Sequence, residues 1–189
     1  GVDIVTASDT SVNANIGGDL AGFTADIEFD VVDNAAGLIA EMGGADVAGH
    51  LTSELHEANS ITVNDGADSS VVNASDGAML ASFIADVDFD VSDTAANIAA
   101  QVASGVAPNY GADSLEDADS VFVESGDPVT AAQAESVQDL INYSGGDIDI
   151  SDNAANLISA GDHVLNVTGV DVVTVNNGAT SASDGAILA

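Results

Sequence analysis

Residues 86–100, DVDFDVSDTAANIAA, alternate polar and apolar positions and then change within three residues into an alanine-rich stretch. Alternation with period two predicts a half-buried strand, and the alanine-rich continuation predicts a short helix. Near copies stand at 26–40 (DIEFDVVDNAAGLIA) and 147–160 (DIDISDNAANLISA), so the pattern returns about every 60 residues. Between them lies a second family of alternating segments, SITVND (60–65), SVFVES (120–125) and DVVTVNN (171–177), with VDIVTAS (2–8) as a first member. Helical stretches follow these too, as in SDGAMLASFI (75–84) and TAAQAESVQDLI (130–141). Asp33, Asp93, Asp152 and Asp76 stand ahead of helical runs as N-cap candidates, and Thr130 with Gln133 has the spacing of a capping box.

Each period therefore holds two half-units of strand, turn and helix. About seven fit, over approximately 1–24, 25–58, 59–84, 85–118, 119–145, 146–166 and 167–189, as one array spanning residues 1–189. Strands alternating with helices at this spacing favour parallel pairing. With repetition added, the expected fold class is an α/β repeat solenoid of parallel short strands and short Ala-rich helices, each unit burying its apolar face against its neighbours. The alternative is a compact α/β domain. The closing SDGAILA (183–189) repeats SDGAMLA (75–81), which reads as a segment of a longer array or a subunit whose end is completed by its neighbour.

On a strand, Val87, Phe89 and Val91 share one face and Asp86, Asp88 and Asp90 the other. Asp26, Glu28 and Asp30 repeat the acidic stripe, as do Asp147 and Asp149. Neighbouring acids about 7 Å apart repel by about 0.6 kcal/mol in water and several-fold more at lower dielectric. If the half-units stack in order, each acidic strand lies between strands of the neutral family, which separates like-charged strands by about 9.6 Å.

Composition sharpens this picture. The chain has no Lys or Arg against 32 Asp and Glu, a formal charge of -32. Such a charge drives a compact state apart unless cations neutralise it. Yet 46% of residues are hydrophobic and the mean hydropathy is positive, which predicts folding rather than disorder. Calcium, with six to eight oxygen ligands in tolerant geometry, is the expected cofactor. The candidate metal ligands are Asp26, Glu28, Asp30, Asp86, Asp88, Asp90, Asp147 and Asp149 on the strands, with Asp65 and Asp68 in the loop NDGAD (64–68). A second loop, ESGD (124–127), offers Glu124 and Asp127. A plain solvated acidic face is the competing reading.

The pattern of VSDTAANIAA and ISDNAANLISA after a short strand, with DPVTAAQAESVQDLI between them, resembles the repeats of large secreted bacterial adhesins, surface-layer proteins and type I-secreted calcium-binding proteins. The resemblance implies an extracellular or cell-surface location and calcium that orders the array after export. The nonapeptide GGxGxDxUx of calcium β-rolls does not appear, so that ion geometry is not implied.

Nucleic acid and anionic membrane surfaces are unexpected partners, because phosphate binding relies on Lys and Arg. No apolar run approaches the roughly 20 residues of a membrane helix, and the absence of cysteine excludes disulfides and thiolate chemistry. His50 and His56 are six apart with no HExxH motif, and the acids recur periodically instead of concentrating at one site. The expectation is a protein that is not an enzyme, a structural polymer formed by end-to-end contacts. A module that binds a carbohydrate or cell-surface partner through calcium is the second expectation, and a halophile's acidic protein the third.

Overall fold

The computed structural model describes residues 4–6, 11–21, 26–42, 55, 58–64, 66, 70–81, 87–104 and 115–176. These form a mixed α/β protein with parallel strands in small sheets and no closed barrel. In chain order the elements are β1 (Ile4–Thr6), α1 (Ala14–Ala21), β2 (Asp26–Glu28), β3 (Asp30–Asp33) and α2 (Ala35–Met42). Then come β4 (Ser60–Val63), β5 (Val71–Val72), α3 (Ala74–Leu80), β6 (Val87–Asp88), β7 (Asp90–Thr94) and α4 (Ala95–Ser104). The last group is β8 (Ser120–Glu124), α5 (Ala131–Gln138), β9 (Tyr143–Gly146), β10 (Ile148–Asp152), α6 (Ala154–Ala160), α7 (Asp162–Leu165) and β11 (Val170–Val175).

Every strand pairing is parallel. The first two acidic segments, expected as single strands, are each split in two. At Phe29 the chain passes from β2, paired with β1, to β3, paired with β4; at Phe89 it passes from β6, paired with β4, to β7, which lies between β5 and β8. At the third copy the change of ladder falls at its first residue, Asp147: the preceding YSGG strand β9 pairs with β8, and β10 pairs with β11. Each acidic segment thus has a neutral-family strand at either hand. Asp30 faces Ser60 in register, Asp90 faces Ser120, and Asp88 faces Thr62. Helices follow the same order, with α1 against α2, α2 against α3, and so on to α5 against α6.

Period-two alternation sorts the side chains as expected. Phe89, Val91, Ile148 and Ile150 are fully buried, whereas Asp88 and Asp147 are exposed and Asp30, Asp90 and Asp149 half-buried. One hydrophobic cluster runs from Ala14 to Val164. Small residues let the helices approach the strands: a Cβ on Gly17 would sit 2.9 Å from Val31, and one on Gly77, sixty positions on, 2.7 Å from Val91. Gly146, at φ 133°, lies where the β8–β9 register shifts, and a Cβ there would collide with the Val123 carbonyl.

Two expectations are corrected. The helix expected over 130–141 ends at Gln138, because the Asn142 side-chain amide donates to the carbonyls of Leu115 (2.7 Å) and Ala118 (2.6 Å), which turns the chain toward β9 and leaves Ile141 exposed. The N-caps fall one residue after Asp33, Asp93 and Asp152: Asn34, Thr94 and Asn153 accept from the amides of Gly37, Asn97 and Asn156. Asp76 likewise lies inside the first turn of α3, capped by Asn73. The capping box of Thr130 and Gln133 is present on α5.

The F89A variant should lose about 3–5 kcal/mol, as expected for a fully buried phenyl ring, while F122A, in the outward row of β8, should change stability by no more than about 0.5 kcal/mol. Urea unfolding of both variants measures the contrast.

Candidate functional site

The outward face of the strands carries the sequence's acidic stripe. Its carboxylates are met by hydroxyl groups from neighbouring strands and turns. Ser60 Oγ donates to Asp30 Oδ1 (2.9 Å), and Asp90 accepts from both Ser70 Oγ (2.9 Å) and Ser120 Oγ (2.5 Å). On β8, Glu124 accepts from Ser92 Oγ at 2.8 Å. The cross-strand register accounts for the Ser60–Asp30 and Ser120–Asp90 pairs, whereas Ser92 reaches Glu124 diagonally and Ser70 donates from the turn before β5.

The expected ligands are distributed as follows. Asp30 and Asp90 lie on separate strands with neutral neighbours, Glu28, Asp88 and Asp147 are exposed, and Asp149 is half-buried on β10. Asp26 opens β2. Asp65, Asp68 and Asp86 lie outside the described residues, as do His50 and His56. Among the described residues no group of three or more Asp, Glu or His converges on a common ion position. The loop residue Asp127 is exposed, and His163 lies 3.4 Å from Glu135 on the surface.

A second set of carboxylates, behind this face, escaped the ligand assignment. Asp33 and Asp152 end β3 and β10, and Asp93 is the penultimate residue of β7. Each sends one oxygen back to the first residue of an earlier helix. Ala14 N–H of α1 donates to Asp33 Oδ2 (3.0 Å), Ala74 N–H of α3 to Asp93 Oδ2 (3.0 Å), and Ala131 N–H of α5 to Asp152 Oδ2 (3.2 Å). The other oxygen serves the helix that follows. Asp33 Oδ1 accepts from the amide N–H and side chain of Asn34 (2.8 and 3.0 Å). Asp93 Oδ1 accepts from Thr94 N–H and the Asn97 side chain, and Asp152 Oδ1 from Asn153 N–H and the Asn156 side chain.

One carboxylate therefore closes two helix N-termini at once. The parallel bridges explain how: Val12 pairs with Val31, Val72 with Val91 and Val129 with Ile150, so two residues further on a helix amide stands beside the strand-end aspartate. Free N–H groups and the positive helix end both favour a negative partner there. Asp152 is 6% exposed. Burial alone would raise its pKa, but hydrogen bonds from Asn153 N–H, the Asn156 side chain and Ala131 N–H outweigh that and hold it below the ordinary aspartate value. The sequence signal was present in the recurring Asp-Asn/Thr-Ala-Ala, in which the Asn or Thr is the cap and the preceding Asp is left for a distant amide.

No family model, curated protein or solved structure matches this chain. Among the described residues no helix is long and apolar enough to cross a membrane.

Because the folded pKa of Asp152 lies below the unfolded value of about 3.9, its contribution to stability is complete above that value and is lost as pH falls through the folded pKa. D152N, which removes a charged acceptor of several N–H groups, should cost about 1–3 kcal/mol near pH 7. Thermal melts from pH 7 to pH 2 should show the gap between the native protein and D152N narrowing toward the acid end.

Proposed function

We propose that this protein is a non-catalytic structural component of the cell exterior: an α/β solenoid segment whose half-units stack in chain order and which assembles end to end into a filament, a surface layer or an adhesin stalk. The observation that carries this reading is the in-register alternation of acidic and neutral parallel strands, Asp30 beside Ser60 and Asp90 beside Ser120. Stacking in that order keeps acidic strands about two strand spacings, or roughly 9.6 Å, apart. It also repeats one contact along the chain instead of concentrating reactive groups at one place.

Calcium acts in this reading as the counterion of the outward face. The described carboxylates do not make a ready cage for it, since Asp30 and Asp90 already accept serine hydroxyls and the acids stand on separate strands. Its work is therefore to screen and bridge acids between strands or between copies, where its flexible coordination tolerates mixed carboxylate, hydroxyl and water ligands.

A second reading is favoured by Phe122. This ring is 47% exposed in the outward row, between Ser92 of β7 and Gly145 of β9, with Glu124 two positions along the same strand. An exposed ring amid acids and hydroxyls offers an apolar platform for the face of a sugar. It favours a calcium-dependent carbohydrate-binding module.

Thermal melts in EDTA, in millimolar calcium and in molar sodium chloride separate these readings from a halophile's protein. The structural reading expects calcium to raise Tm by about 5–10 °C over EDTA, equivalent to a ligand at about 100 times its dissociation constant. Electron microscopy of the calcium form should show polymers. Stabilisation by molar salt alone, with monomers in calcium, would sink the proposal.

A further inference from the structure

The neutral strands β4 and β8 each lie between two strands, β4 between the acidic β3 and β6, and β8 between the acidic β7 and the YSGG strand β9 that leads into the third acidic segment. Their inward residues Ile61 and Val121 are 0% exposed. β11 is the same kind of strand, but among the described residues it pairs with β10 alone. Val173, which holds the position of Ile61 and Val121, is 41% exposed, and Val172 is 52% exposed. An edge strand with apolar residues open on both faces is a template for another chain.

The kind of strand that fits this edge is set by the repeat: the strand that leads into an acidic segment's second half, as β2, β6 and β9 do. In a second copy, β6 and β9 are held by β4 and β8, each of which is tied into a further ladder. β2 is held only by β1, over the three pairs Ile4 to Asp26, Val5 to Ile27 and Thr6 to Glu28, and β1 has no other strand partner among the described residues. Of β1, β4 and β8, the strands that hold β2, β6 and β9, β1 is therefore the one that can leave, among the described residues, without breaking a second ladder.

The sequence supplies its replacement. VDVVTVNNGATSASDGAILA (170–189) restates VDIVTASDTSVNANIGGDLA (2–21), with Val, Asp, Val and Thr at 170, 171, 173 and 174 answering those at 2, 3, 5 and 6. The match extends to Ala182, Gly185, Leu188 and Ala189, which answer Ala14, Gly17, Leu20 and Ala21.

We propose that β11 of one copy pairs with β2 of a second copy in the place held by that copy's own β1, with Val173 beside Ile27 and Thr174 beside Glu28. The exchange sets a strand with one acid, Asp171, against the acidic β2, and Val173 and Thr174 fall beside Ile27 and Glu28, so a non-acidic residue meets each of these two positions across the junction. It offers a six-residue strand where the displaced one has three residues. The contact is head-to-tail, so each copy still presents a free β11 and growth continues. This inference rests on the end-to-end assembly proposed above and names its mechanism.

The chain has no cysteine, so introduced pairs report contacts without background. In calcium under mild oxidation, the E28C/T174C double variant should give a covalent ladder in steps of 18.6 kDa on a non-reducing gel, and T6C/T174C should not. V5D, which puts a charge in register with the apolar Ile27 and so loosens β1, should increase the polymer yield several-fold. A ladder through T6C/T174C but not E28C/T174C, with V5D lowering the yield, would mean that β11 lies against the outer edge of β1; that result overturns strand exchange and leaves end-to-end assembly standing. Polymers of the unmodified protein that link through neither pair also overturn exchange alone. Failure of the unmodified protein to polymerise at any calcium concentration overturns both.

Discussion

In this chain, the carboxylates that stand at helix beginnings are stabilised by dipoles, since no lysine or arginine exists to pair with them. The fold solves this at Asp33, Asp93 and Asp152, each of which accepts N–H groups from two helix beginnings and so stands where peptide dipoles point their positive ends. An ion pair would satisfy one contact at one site. A strand-end aspartate satisfies orphan amides of two successive helices together, and these amides need an acceptor in any event. Charge and connectivity are thereby joined in one residue that recurs in each copy of the acidic segment.

The outer carboxylates use a weaker form of the same device. Serine hydroxyls can rotate to donate, and the strand register delivers them to Asp30 and Asp90. This arrangement orients the acids without neutralising them, so the face keeps its negative potential. Proposals that treat calcium as a counterion of the face and as a bridge between copies both follow from a surface that is organised but not discharged.

Much of this was legible in the sequence. The period-two pattern of DVDFDV put Phe89 and Val91 inside and Asp88 outside, and the two interleaved families fixed which strand lies beside which. The change of ladder at Phe29, Phe89 and Asp147 was not legible, because alternation carries no mark of which ladder a residue joins. Nor was the role of Asp33, Asp93 and Asp152. A local rule reads an aspartate before a helix as its cap, whereas here Asn34, Thr94 and Asn153 do that work and the aspartate reaches an amide 19 to 21 residues earlier in the chain. The early end of α5 depended likewise on Asn142 finding the carbonyls of Leu115 and Ala118, a contact that sequence spacing does not announce.

The change of ladder at each acidic segment also bears on how so repetitive a chain finds a single alignment. A strand that shifts by one residue turns its apolar side chains to water and its acids inward. Here β6 is read against β4 while β7, one residue later, is read against β5 and β8, so a slip in one frame is forbidden unless the other slips with it. Near-identical segments can thus coexist in one molecule without trading places by small sliding errors.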